Sequence, residues 1–77
     1  METQQLRPLT NVEPGETVTL ARVDAGHGLN SRLAAMGLLP NVKLTVISNP
    51  NHGPFVVSVK DSRMMLGRGM AQKIMVL

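Results

Sequence analysis

The stretch Arg32–Val46, RLAAMGLLPNVKLTV, changes its periodicity halfway along. Up to Met36 the apolar residues recur at helical spacing, with Leu29, Leu33 and Met36 on one face. From Val42 onward they alternate, Val42, Leu44 and Val46 on one side with Lys43 and Thr45 between them, as on a half-buried strand. Between the two lies Gly37-Leu38-Leu39-Pro40-Asn41. Gly37 stands where a helix needs a left-handed cap, and Leu38 can fold back on the last turn as that cap's apolar contact. Pro40 forbids continuation of the helix, and Asn41 tolerates the positive φ of a second tight turn. The stretch therefore reads helix, corner, strand. Leu39 is left over, a large apolar residue where corners are usually polar. It either tucks over the end of the fold or forms an apolar knob beside Arg32 that another protein can grip.

Working outward, Leu6–Val12 is a short apolar lead-in broken by Pro8, and Glu13-Pro14-Gly15-Glu16 has the residues of a type II turn. Thr17–Val23 alternates as a strand, with Val18 and Leu20 on one side. Asp24–Gly28 is a loop before the helix, placed at Leu29–Met36. Beyond the strand from Val42, Asn49–Pro54 is a loop, Phe55–Lys60 a third strand, Asp61-Ser62 a reversal and Arg63–Leu66 a fourth strand. Gly67–Ala71 makes one helical turn, and Ile74–Leu77 a last short strand. Five short strands, tight connections and one small helix predict a single mainly-β domain over residues 1–77. It folds as a partly closed antiparallel barrel, which hides most strand edges.

The totals narrow the chemistry. A chain of 77 residues buries only roughly 60% of its unfolded surface, so its core is small. There is no cysteine, which removes thiolate metal sites and thiol nucleophiles and favours a reducing compartment. The opening Met-Glu-Thr-Gln-Gln lacks the basic and apolar parts of a secretion signal, and no apolar run nears the ~20 residues that span a bilayer. A soluble, cytoplasmic protein is expected. The formal charge is +3, and no acidic residue occurs from Ala25 to Lys60, a stretch that holds Arg32, Lys43 and Lys60. That balance suits an acidic partner or plain solubility.

Specific chemistries find little support. Gly26-His27-Gly28 resembles the start of a dinucleotide fingerprint, but Ser31 occupies the sixth position and no acid follows to bind a ribose. The two histidines, His27 and His52, with Asp24 as the nearest carboxylate, are at most a weak divalent-metal site, because stable sites take three or four ligands. Four of the six methionines lie between residues 64 and 75. Met64 and Met65 face opposite sides of a strand, so the group reads as core filler or adaptable contact surface rather than as ligands for Cu(I). A domain this small leaves no deep cleft for acid–base catalysis, so no enzyme is expected. Phe55 is the only aromatic residue, too few rings for base stacking, and no nucleic-acid partner is expected. The alternative readings are a small basic barrel gripping nucleic-acid phosphates alone and a weak divalent-metal-binding regulatory module.

Several motifs occur together in order. RLAAMGLLPNVKLTV resembles R-L-x-x-M-G-L-x-P-G followed by a strand, the pattern of the FeoA family. The following GPFVVSVKDSRMMLGRGMAQKIMVL is similar to that family's continuation at Gly53, Pro54, Val57, Val59, Leu66, Ala71, Ile74 and Val76. The opening LRPLTNVEPGETVTLARV also resembles the family's start, so the likeness runs from Leu6 to Leu77. Asn41 and Asp61 stand where the family commonly has glycine. The resemblance implies an SH3-like β-barrel and a role in bacterial ferrous iron uptake through contact with the cytosolic part of the membrane transporter FeoB. The same domain closes some metal-responsive transcription regulators, but no helix-turn-helix region is found here. With the residues read above, it makes Arg32, Met36, Leu38 and Leu39 the expected docking residues, on a monomer or weak homodimer.

Overall fold

The structure, a computed structural model, describes residues 5–50 and 52–77. Strand β1 (Arg7–Pro8) runs into a 3-10 turn at Leu9–Asn11, then come β2 (Thr17–Val23), helix α1 (His27–Ala35), β3 (Lys43–Ser48), β4 (Phe55–Val59), β5 (Ser62–Leu66), the single-turn α2 (Arg68–Ala71) and β6 (Ile74–Val76). All pairings are antiparallel, in the order β1-β6-β2-β3-β4-β5. The expected count of about five strands becomes six. The addition is β1, two residues whose pairing with Met75 and Val76 leaves no periodicity to detect. The expected partial barrel is an open sheet with β1 and β5 at its edges.

Strand β2 holds the sheet together by changing partners along its length. Thr17, Val18 and Thr19 face Thr45, Leu44 and Lys43 of β3, whereas Leu20, Arg22 and Val23 face β6. The register shifts between Leu20 and Arg22, and again between Val46 and Ser48 of β3. Extra residues at such points bend and twist the strands. The coiled sheet encloses one apolar cluster that includes Val18, Leu20, Leu44, Val46, Phe55, Val57, Leu66, Ile74 and Val76. Leu9 from the 3-10 turn, Val12 just after it, Leu33 and Leu38 from the helical corner, and Ala71 from α2 join it. No polar or charged residue is buried among the described residues.

Turn chemistry follows the sequence closely. Gly15 has φ +93° and the Glu16 amide donates to the Glu13 carbonyl at 3.1 Å, as a Pro-Gly type II turn requires. The reversal expected at Asp61-Ser62 lies one residue earlier. Lys60 and Asp61 have φ 49° and 69°, and Val59 pairs with Ser62. This is the two-residue hairpin geometry whose twist matches its flanking strands.

Candidate functional site

The helix begins at His27, two residues before the expected start, because Gly26 serves as its N-terminal flank. The Asn30 amide nitrogen holds the preceding loop by donating to the Ala25 carbonyl at 2.9 Å. Its end has the anticipated geometry. The Gly37 amide donates to the Ala34 carbonyl at 3.0 Å and the Leu38 amide to the Leu33 carbonyl at 2.9 Å, with Gly37 at φ +95°. These are the two bonds of a Schellman motif, and Leu33 and Leu38 enter the core together as its apolar pair. Leu38 is only 2% exposed. Its place among the expected docking residues is therefore corrected: the side chain is consumed by the cap and the core.

After the cap the chain turns again over Leu39-Pro40-Asn41-Val42. The Val42 amide donates to the Leu39 carbonyl at 3.1 Å with Asn41 at φ 75°. The turn is bolted to β2 by Asn41 N–H to Leu20 C=O at 2.7 Å and Leu20 N–H to Val42 C=O at 2.8 Å. A rigid corner thus holds Leu39 with 49% of its surface exposed, and Met36 with 43%. Met36 does not share the buried helical face with Leu33 as its spacing suggested. The helix has already ended there, and Met36 is the turned-out cap residue.

Across from this corner stands the β4–β5 hairpin, and the two enclose an open groove of about 750 Å³. Met36, Leu39, Pro40 and Val42 form one wall, and Val59, Lys60, Ser62 and Met64 the other, with Lys43 between. A smaller hollow lies on the other side of Leu39, between α1 and β2. Arg32, exposed on α1 one turn before Met36, does not line the groove. The hairpin wall has no signature in the sequence. Alternation shows which face a strand residue occupies, but not which residue of a distant strand stands beside it.

The other candidates do not assemble. His27 is the first residue of α1 and His52 lies in the β3–β4 loop, both exposed. The Asp24 carboxylate is engaged by the Arg22 guanidinium at 2.8 Å. No group of three or more metal-ligating side chains occurs among the described residues. Strands β2 and β3 flank α1 as antiparallel neighbours, which rules out the parallel unit of a dinucleotide fold. Phe55 is wholly buried, with the Arg68 guanidinium 6.0 Å from its ring centre. Arg68 also donates to the Asn49 side-chain oxygen at 3.0 Å and to the Pro50 carbonyl, while Asn49 donates to the Thr10 and Val12 carbonyls, each at 2.9 Å. This network ties the 3-10 turn, the β3–β4 loop and α2 together.

Fold and groove define a small SH3-like β domain whose surface offers an apolar cleft bordered by lysines. The chain belongs to the FeoA domain family, whose pattern matches residues 7–77. A Methanocaldococcus jannaschii protein provisionally called Fe(2+) transport protein A is 46% identical over 69 residues, covering 90% of this chain and 83% of the relative. Among solved structures, the crystal structure of an iron uptake regulatory protein (FeoA) superposes with a TM-score of 0.86 at 30% identity, covering 94% of this chain and 96% of that one. A manganese-dependent transcriptional repressor gives the same TM-score at 28% identity, covering 99% of this chain but 43% of the repressor. No helix among the described residues is long and apolar enough to cross a membrane.

Proposed function

We propose that this protein is an accessory component of ferrous iron uptake that acts by binding the cytosolic part of a FeoB-type membrane transporter. The observation that carries this reading is the pair Met36 and Leu39, large apolar side chains held half exposed on a rigid corner in a FeoA-family chain. A backbone fixed in this way loses little conformational freedom on binding, which favours its exposed side chains as anchors. The protein works in the cytoplasm, on the transporter's inner side, and needs no chemistry of its own. A nucleic-acid role is disfavoured by the burial of Phe55, since a phosphate grip alone would leave the apolar corner unused.

The test is a binding titration with the purified cytosolic region of the transporter. Leu39→Asp and Arg32→Glu should each weaken binding while circular dichroism stays unchanged, Leu39→Asp by about tenfold or more. Unchanged binding in both variants removes the proposed surface. Absence of any association, or normal Fe(II) import in cells lacking the protein, removes the function.

A further inference from the structure

Two lysines border the groove, one from each side of the β3–β4 pair. Thr45 faces Ser58 and Val46 faces Val57 across β3 and β4. Lys43 opens β3 two residues before Thr45, and Lys60 sits in the hairpin turn two residues after Ser58. Both are exposed, both line the groove, and neither pairs with a carboxylate among the described residues. Two cations bordering one groove without a counter-charge repel each other, weakly where solvent screens them. None of the lining residues is acidic. Asp61, the hairpin's one carboxylate, sits at the turn and lies outside the lining.

We infer that this groove receives an acidic amphipathic segment of a partner protein, its apolar side chain seated between the Met36–Leu39 corner and the hairpin and its carboxylates facing Lys43 and Lys60. The inference rests on the docking function proposed above and specifies the chemistry of what docks. Charge complementarity chooses the sign: two unneutralised cations beside an apolar cleft lower the energy of an approaching carboxylate and repel a basic segment. The walls choose the class. A phosphate surface would use the lysines and leave Met36, Leu39 and Met64 in water, whereas an amphipathic peptide uses both. Met36 and Met64, one on each wall, give the cleft the adaptability that thioether side chains bring to binding surfaces.

The experiment uses the full chain with the transporter's cytosolic region at about 50 and about 300 mM salt. Lys43→Glu/Lys60→Glu should raise Kd about tenfold at low salt and flatten the salt dependence. Lys43→Gln/Lys60→Gln, which only removes charge, should raise Kd about threefold. Amide chemical shifts should move in Met36–Lys43 and Val59–Met64 when tiled peptides from that region are added, and the strongest peptide should carry Asp or Glu flanking Leu, Met or Phe. If wild type binds and Leu39→Asp weakens it, yet both lysine pairs leave Kd and salt slope unchanged, this inference fails and the docking function stands. If wild type does not bind, both fail. Equal or tighter binding to phosphatidylglycerol vesicles or duplex DNA, lost in the same lysine variants, replaces the acidic segment with a phosphate surface and overturns the inference.

Discussion

The two walls of the groove each contain a tight chain reversal, and they solve the same backbone problem with different residues. At the corner between α1 and β3 the positions of positive φ are filled by Gly37 and Asn41. At the β4–β5 hairpin they are filled by Lys60 and Asp61. Glycine enters the left-handed region without a Cβ penalty and asparagine with a small one, whereas a lysine there costs about 1–2 kcal/mol. The corner is thus locally consistent: cap, turn and buried leucine all favour one conformation. Lys60 runs against its backbone and lines the same groove as Lys43, with no carboxylate partner among the described residues. Residues held against their local conformation cluster at functional sites. One wall is built for rigidity, and the other keeps a costly charge in place.

Adjacent leucines on the corner give the largest expected contrast. Leu38→Ala empties a core position and should destabilise the protein by about 2–5 kcal/mol. Leu39→Ala removes a half-exposed side chain and should change stability by no more than about 0.5 kcal/mol while weakening partner binding. Urea unfolding of both variants checks this. Equal losses would mean that Leu39 also belongs to the core and would dissolve the distinction between structural and contact residues.

The next contrast sets the two turns against each other, with opposite signs. A Cβ at Gly37 would meet nothing within 4 Å, so Gly37→Ala bears only the cost of the dihedral, φ +95°, and should lose about 1–2 kcal/mol. Lys60→Asn puts a turn-tolerant residue at φ 49°, so it should gain about 0.5–1 kcal/mol. The same Lys60→Asn variant should bind the partner less tightly. A variant that becomes more stable and binds less well is what a residue kept for contact produces. Loss of stability in Lys60→Asn would remove the assignment of strain to the hairpin.

Much of this architecture is legible in the order of the residues. Gly37, Leu38, Pro40 and Asn41 each announce a local event, and local events are what residue types encode most directly. Alternation locates β2, β3 and β4, and the motif order points to the family. What the sequence does not reveal is long-range. Strand β1 exists only because β6 offers it a partner. The Asn49–Arg68 network joins residues 19 apart to carbonyls nearly 40 positions away. The groove needs the pairing of β3 with β4, which brings the hairpin, with Lys60 at its turn, up to the helical corner. That the sheet stays open is hidden for the same reason, since closure depends on whether two edges meet rather than on any residue in either. Within the corner, residue type alone allows Leu38 two roles, and only burial separates cap contact from docking knob.

A third turn offers the finest test of local consistency. At Glu13–Glu16 the positive φ belongs to Gly15, and the Glu16 carboxylate reinforces the reversal by accepting the Arg7 guanidinium at 2.8 Å and the Glu13 amide at 2.9 Å. Those hydrogen bonds, the Arg7 bond first and the Glu13 amide second, hold the Glu16 pKa below its ordinary value of 4.5. A carboxylate with a depressed pKa binds protons more readily in the unfolded chain. Its stabilisation is therefore complete above the unfolded value and drains away as pH falls through the folded one. Glu16→Gln should leave this acid limb flatter than in wild type below about pH 5, and raised salt should shrink the difference because both partners are partly exposed. Unfolding midpoints followed from neutral pH to about pH 3 read it directly. An unchanged acid limb would mean that Gly15 and the backbone alone set this turn, as Gly37 and its two backbone hydrogen bonds do at the corner.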